Sequence, residues 1–591
     1  VKQLVHNGVL VPEPPSPRGL VIMVRGEPVR LTPKQEEMAL AWAKKQGTPY
    51  VEDPIFIRNF LRDFSEALGV TPALSAEEVD FAPAVDVVLA EREAKARLTK
   101  NERKTQAAAR KAQREKLREI YGQATADGER VELANYTVEP SGIFMGRGKH
   151  PLRGRWKEAT KQRDITLNLS PDAPRPPGDW KEIIWEPDTL WVARWKDKLS
   201  GKMKYVWLSD TAPVKQEREA QKFDEAAKLH AELEQVRAHI EQGLNDPDPT
   251  RRMIATTCYL IDALCLRVGD EKDPDEADTV GATTLRPEHV TLHPDGTAEF
   301  RFYGKDFVRW HKKLELPEIV RQNLAELSCA ARPPNSGNRG NNRKKHPTRD
   351  KPQLFPDIGS RDVNAYLSEV LPGLTAKVFR THHATEIVRN SLKASGVKAS
   401  DPGYEKRKAA TLANLQAAIL CNHTKNAPPN WSARREKLKE RRRKAEERVQ
   451  RYRLQVQEHT EALAALREEA RQKKASASGV RRKRLEASYQ KKIERTKRKI
   501  ETARDRLQKA KDARNKIQAQ MVIATQTRTW NLGTSLKSYI DPRVYYQWGQ
   551  QIKYDVLERF YPKKLKQKFA WVKGCNQDMV DRLEPKKKEP P

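Results

Sequence analysis

The sequence predicts an α+β multidomain chain, with strands and helices mixed in its first part and helices dominating its second. Three observations carry this. The chain has 591 residues, too many for one hydrophobic core. Short alternating apolar runs punctuated by Gly and Pro recur through the first two hundred residues, the pattern of small sheets and short helices. From 431 to 520 apolar residues recur every seven positions: Leu438, Ala445, Tyr452, His459 and Leu466, interleaved with Val449, Val456, Leu463 and Ala470. After Ser476–Gly479 the repeat resumes with Ile493, Ile500, Leu507 and Met521, with Ala503, Ala510 and Ile517 between them, which predicts an antiparallel coiled-coil hairpin.

The elements follow in order. Val5–Pro12 reads as extended chain, and Leu20–Val29 as a strand pair around Gly26. Thr32-Pro33 starts a helix, with Thr32 as N-cap and Pro33 at the first helical position. Short amphipathic helices run to Leu68, and Glu91–Tyr121 reads as one long charged helix ended by Gly122. Trp180–Leu208 reads as a β-meander, Gln216–Gly243 as a connector helix, and Arg252–Leu266 as an apolar helix stopped at Gly269. Ala298–Trp310 is a predicted hairpin with Lys305 at its tip, 330–351 a flexible insertion, and Leu374–Thr381 the approach to another helix.

Composition narrows the function. The net charge is +33 and the pI about 9.8, a surplus that calls for a polyanionic partner, nucleic acid before others. Residues 431–520 hold 31 Lys+Arg against 13 Asp+Glu, so +18 lies in the hairpin and +15 over the remaining 501 residues. The charge is therefore not confined to one basic appendage. Five scattered cysteines without a Cys-x-x-Cys pair suggest a reduced, intracellular protein without structural zinc. His289 and His293 stand four apart, but Val290 and Thr291 favour a strand, where that spacing does not converge on a metal. No apolar run reaches the length of a membrane span and no signal-peptide pattern opens the chain, which starts at Val1.

Five polar residues stand out: Arg267, Lys305, Arg380, His423 and Tyr539. Each has an ordinary alternative, as a helix-end cation, a solvated turn lysine, a packed arginine, a core histidine or a half-buried phenol. Their local strings are Leu266-Arg267-Val-Gly269, Gly304-Lys305-Asp306, Thr375-Ala-Lys377-Val-Phe-Arg380-Thr381, Ile419-Leu-Cys-Asn-His423 and Ser538-Tyr539-Ile-Asp-Pro-Arg543. With Gly146-Arg147-Gly148-Lys149-His150-Pro151 and the opening His6-Asn-Gly-Val-Leu10, this ordered set resembles eukaryotic-type DNA topoisomerase I, the type IB class, over nearly the whole chain.

The resemblance implies N-terminal DNA-clamp lobes over 1–208 and a mostly helical, tyrosine-recombinase-like catalytic core over 209–430. A basic coiled-coil linker over 431–520 and a C-terminal domain over 521–591 that carries the nucleophile Tyr539 would complete the chain. Arg267, Arg380 and His423 would receive the charge that builds on the phosphate, and Lys305 would protonate the leaving 5′-oxygen. Arg147, Lys149, His150, Lys377, Asp306, Ser538 and Arg543 would contact DNA. The expected partner is double-stranded DNA, bound by a monomer, with no membrane, cofactor or metal; no phosphate-loop motif is present. Two other readings share parts of the pattern. A tyrosine recombinase shares the catalytic logic, but Lys377 stands where that family usually has His, and the linker and clamp strings are not its own. A non-catalytic DNA clamp explains the charge but not the five-residue set. Ser538 stands where many eukaryotic members have Asn, beside the pocket for camptothecin-type inhibitors, which implies reduced drug sensitivity. The long charged N-terminal extension of nuclear members is not seen, which suggests an archaeal or otherwise compact member, or a truncated chain. The location would be nucleoid or cytoplasm in the first case and nucleus in a eukaryote.

Overall fold

The computed structural model describes residues 1–270, 278–331 and 351–574. Two compact units emerge, Val1–Val378 with Gln567–Trp571, and Phe379–Lys566 with the residues from Val572. Most of the predicted insertion, 332–350, and Cys575 lie outside the described residues.

The first unit is α+β. One of its cores is formed by helices Pro33–Ala43, Pro54–Leu68 and Ala82–Arg97 around Trp42, Phe56, Phe60, Phe64 and Phe81. The Trp42 and Phe60 rings stack at 4.6 Å. Thr32 is the N-cap of the first of these helices, its N–H donating to Gln35 Oε1 at 2.7 Å, and Pro33 follows it as the sequence predicts. The long charged helix expected over 91–121 is two helices, Ala82–Arg97 and Lys100–Tyr121. Thr99 breaks it: its hydroxyl accepts from the Glu102 N–H while the Glu102 carboxylate accepts from the Thr99 N–H, a capping box within an otherwise continuous charged run.

A second core lies beneath two sheets. Leu4–His6, Gln123–Ala126 and Glu129–Glu132 pair antiparallel. The expected meander is in part a different topology. Trp191–Lys196 and Met203–Trp207 do pair as neighbours, but Glu182–Ile184 runs parallel to the fully buried strand Ile165–Asn168, which intervenes. Ile165–Asn168 alternates apolar and polar residues, yet every position is buried because both faces of the strand are covered.

Helices Pro213–Leu244 and Pro249–Leu264 lead to the sheet Val290–Leu292, Thr297–Gly304 and Val308–Glu315. The second helix ends at Cys265, which takes left-handed geometry (φ 54°), and not at Gly269. Gly269 has another function: a Cβ there would meet the Cα of Gly281 at 2.7 Å, so the two backbones pass in contact.

In the second unit, helices Trp431–Ala475 and Gly479–Gln526 form the predicted hairpin, turning at Ser476–Ser478. Ala445, Val449, Leu463 and Ala470 on one helix and Ile500, Ala503 and Ala510 on the other are buried along its seam. The small residues let the helices approach closely, and Tyr489 reaches across to donate to Glu469 at 2.9 Å. Among the described residues no helix is long and apolar enough to cross a membrane.

Buried His6 holds the N-terminal strand in place. Its Nε2–H donates to the Asn168 carbonyl at 2.9 Å and its Nδ1 accepts from the Gly8 N–H at 3.0 Å, which only the neutral ring can do. Burial pushes its pKa down to about 4, against the smaller upward effect of the Asn168 carbonyl. The folded pKa lies below the unfolded one, so the unfolded chain takes the proton first. Stability is therefore level above about pH 6.5 and falls as the pH drops towards 4, by on the order of 3 kcal/mol. Urea unfolding of this unit at pH 7.5, 6, 5 and 4.5 should show that slope in the wild type and a flatter one in His6→Gln. Equal slopes would assign the acid sensitivity to other groups.

Candidate active site

The site in the second unit is assembled by three segments. The first is the helix Ala376–Ala394, whose Arg380 lies one turn in and is 2% exposed. The expectation of an approach to a helix at Leu374–Thr381 thus places Arg380 inside the helix itself, three residues after the exposed Lys377.

The second segment is the end of helix Gly403–Leu420. Asn422 takes left-handed geometry (φ 54°), which Asn tolerates better than most residues, and the His423 N–H donates back to the Ala418 carbonyl at 2.8 Å. The string Ile-Leu-Cys-Asn-His is thus a helix stop that turns the imidazole out of the helix line.

The third is the short helix Leu532–Ser538, with Tyr539 as its C-cap. Asn531 caps its start, and the Asn531 N–H donates to the His423 carbonyl at 2.7 Å. Beside it, the Lys425 N–H donates to Thr529 at 2.8 Å, so the segments carrying the imidazole and the phenol are paired strand-like.

These segments bring Arg380, His423 and Tyr539 together. The Tyr539 ring, 4% exposed, stacks on His423 with centroids 5.5 Å apart and planes 29° apart. The Arg380 guanidinium lies 4.9 Å from the centre of the same ring. Arg380 Nη2 donates to the Cys421 carbonyl at 3.1 Å and stands 3.5 Å from His423 Nε2. A buried phenol flanked by a guanidinium and an imidazole, in a strongly basic chain, suits nucleophilic attack on a phosphate. The guanidinium and the imidazole can bind the non-bridging oxygens on which charge accumulates.

The turn after Tyr539 is fixed from within. Asp541 caps helix Pro542–Gln551 by accepting from the Arg543 N–H at 2.9 Å. Arg543 is 3% exposed, and its guanidinium grips the same carboxylate from Nε and Nη2 at 2.7–3.1 Å. The expectation that Arg543 touches DNA is therefore corrected: it is an interior brace, because burying the Asp541 carboxylate requires a paired cation beside it. Ser538 is half-buried next to the phenol.

Three positioning residues escaped the sequence reading. The Thr385 hydroxyl donates to the Tyr539 carbonyl at 3.3 Å and accepts from the Asp541 N–H at 3.1 Å. Ser535 donates to Asn414 Oδ1 at 2.7 Å, and Asn414 Nδ2 donates to the Leu532 carbonyl at 3.1 Å. Asn414 left a usable signal, a short amide set among Ala413, Leu415, Ala417 and Ala418; Thr385 left none.

The first unit carries the other expected residues. Arg267 is exposed just past the helix end, and its carbonyl accepts from the Ala282 N–H at 2.9 Å. Two residues earlier, the Val280 N–H donates to Tyr303 at 2.8 Å, so one short segment braces both Arg267 and the hairpin that presents Lys305. Lys305 is exposed at the tip, where Asp306 and Phe307 both take left-handed geometry (φ 66° and 59°).

That turn is held by the Gly146–Pro151 loop. Arg147 pairs with Asp306 at 2.6 Å, and Phe307 packs so closely on Gly148 that a Cβ there would lie 2.2 Å from its ring. The Gly-Arg-Gly string is explained by this approach, and Asp306 acts on Arg147 in this state. Lys149 is exposed; His150 stacks edge-on to Phe144 at 4.9 Å and accepts from the Leu152 N–H.

A helical unit that gathers a phenol, an imidazole and a guanidinium is joined to a basic coiled-coil hairpin. Family models match this chain. "Eukaryotic DNA topoisomerase I, DNA binding fragment" matches residues 1–208, the catalytic core of that family 211–456, and "C-terminal topoisomerase domain" 511–580. The chain is 33% identical to DNA topoisomerase 1 beta of Arabidopsis thaliana, over 97% of its own length and 58% of that protein's. To the human proteins named "DNA topoisomerase I, mitochondrial" and "DNA topoisomerase 1" it is 30% identical, covering 97% of this chain and 90% and 70% of theirs. The chain belongs to the eukaryotic DNA topoisomerase I family. It spans little more than half the length of the plant relatives.

Thr385→Val keeps the side-chain shape but strands the buried Asp541 N–H. It should lower the unfolding free energy of this unit by about 1–3 kcal/mol. Chemical denaturation followed by near-ultraviolet circular dichroism measures it; a loss below a few tenths would mean that the hydroxyl does not fix the turn.

Proposed function

We propose that this protein relaxes both positive and negative supercoils in double-stranded DNA as a type IB topoisomerase, acting as a monomer inside the cell without ATP or metal. The observation that carries the reading is the stacking of Tyr539 on His423 with Arg380 across the ring, in a chain with a surplus of 33 positive charges. The Tyr539 oxygen gives its proton to water and attacks a backbone phosphorus, and the bond to the 5′-oxygen breaks, leaving a 3′-phosphotyrosyl ester and a free 5′-hydroxyl. Arg380 and His423, joined by Arg267, bind the phosphate oxygens in the transition state. Lys305 gives the proton to the departing oxygen. Because the ester keeps the bond energy, the 5′-hydroxyl can attack it and reseal the strand after the duplex has turned about its intact strand. The charge stabilisation is assigned to side chains, so the reading requires no divalent ion. Arg147, Lys149, His150, Lys377 and Ser538 are assigned to the DNA contact, and binding should be set by phosphates and fall steeply with salt.

Plasmid relaxation in EDTA without ATP tests this. Wild type should relax both signs of supercoil and Tyr539→Phe neither. Arg380→Ala should retain DNA binding while cleavage slows by about 10²–10³-fold, the usual cost of removing one transition-state donor. Relaxation surviving in Tyr539→Phe would assign the nucleophile elsewhere. Binding without relaxation by the wild type would favour a DNA clamp, and site-dependent strand exchange a recombinase.

A further inference from the structure

At the root of the coiled-coil hairpin, within the second unit, lies a cleft of about 1120 Å³ that the strand chemistry does not use. Arg434, Lys437 and Arg441 face it from one helix at a three- and four-residue spacing, the period of a single helical face. Lys516 faces it from the returning helix, Arg407 from the helix that leads to His423, and Arg559 from beyond Pro542–Gln551. No acidic side chain lines it, and among the described residues none of these six cations closes an ion pair.

Elsewhere on the hairpin Lys439 pairs with Glu436, Arg443 with Glu440 and Glu447, Lys473 with Glu469, Lys497 with Glu494 and Lys509 with Asp505. What sets the six cleft cations apart is that the fold turns them towards one concavity.

The floor adds a second kind of contact. Leu438, Ala519 and Ile523 make it apolar, and the rings of Tyr404 and Tyr554 line it. The Arg559 guanidinium lies 5.9 Å from the Tyr554 ring, and Arg407 donates to the Arg559 carbonyl at 3.3 Å. Six converging cations over an apolar, ring-bearing floor fit a compact ligand with several adjacent phosphates and a flat base. The volume is just above the usual range of small-ligand cavities, roughly 300–1,000 Å³.

We propose that this cleft binds closely spaced phosphates attached to a base, as found in a nucleoside polyphosphate or in the end of a single strand. The occupant bridges both helices of the hairpin root to the helix that ends at His423. It therefore fixes the root against the unit that holds Tyr539. The inference concerns binding alone and does not rest on the proposed strand chemistry.

Calorimetric titration of the full chain without duplex DNA, at constant ionic strength, tests it with ATP, tripolyphosphate and a 5′-phosphorylated tetrathymidylate as probes. One variant carries Arg434→Gln, Lys437→Gln and Arg441→Gln; a charge-matched control carries Lys439→Gln, Lys473→Gln and Lys497→Gln. All six positions are on exposed helix surface, and circular dichroism checks that both variants fold. The wild type should bind ATP at one site, more tightly than tripolyphosphate, with at least a 10-fold loss in the cleft variant and less than a 2-fold loss in the control. Tyr404→Ala should remove the preference for ATP over tripolyphosphate. Tighter binding of the tetranucleotide than of ATP would assign the single strand as the source of the same chemistry. Equal losses in the two triple variants, or no saturable binding by the wild type, would overturn the proposal.

Discussion

The backbone pairing of His423–Lys425 with Thr529–Asn531 is the constraint on which the site depends. Between these two strand-like pieces the chain departs along one long helix and returns along another. Antiparallel helices of similar length bring the chain back near its point of departure, and the bridge fixes the register of that return. Without it the imidazole and the phenol would be separated by over a hundred residues of sequence with nothing to set their distance. With it, a local helix stop at Asn422 and a cap at Asn531 suffice to stack the two rings.

Around this pairing a polar network ties the turn after Tyr539 to its neighbours. Asp541 caps a helix and is neutralised by Arg543; Thr385 fastens the turn to the Arg380 helix; Asn414 and Ser535 fasten the short helix before Tyr539 to the helix before His423. Every one of these bonds ends on the backbone beside the nucleophile or on a side chain that holds it. The ring can then be placed with little freedom, which a reaction needing attack along one line requires. In the first unit the same logic operates on a looser element. The Lys305 tip is an exposed turn with two left-handed residues, and a contact from the Gly146–Pro151 loop holds it.

Charge follows a separate rule. Along the hairpin several cations pair with acids one turn away, but the surplus of basic residues leaves most of the stripe unbalanced. At the root, cations from four helices face one cleft. Helical spacing in the sequence places Arg434, Lys437 and Arg441 on one face, but only the packing of Arg407, Lys516 and Arg559 opposite them makes a concavity.

The sequence by itself determined the α+β class, the hairpin and its turn, the Thr32 cap and the strand pairs read at 20–29 and 298–310, and it named the candidate catalytic side chains. Each of these is written in local chemistry: a period, a capping residue, a turn, a short string. It misjudged elements whose outcome depends on distant partners. The 91–121 run broke at Thr99 because a capping box outweighed continuous helix propensity, and Gly269 proved to serve backbone contact with Gly281 and not helix termination. Arg543, to all appearance a surface cation, went inside because Asp541 did. Thr385 could not be found at all, since a threonine within a helix looks the same whether its hydroxyl turns back to its own helix or fastens a turn 154 residues away. Residue type and spacing state which groups are available; which of them meet is decided by packing, because desolvating a polar group is tolerable only where the fold supplies its partner.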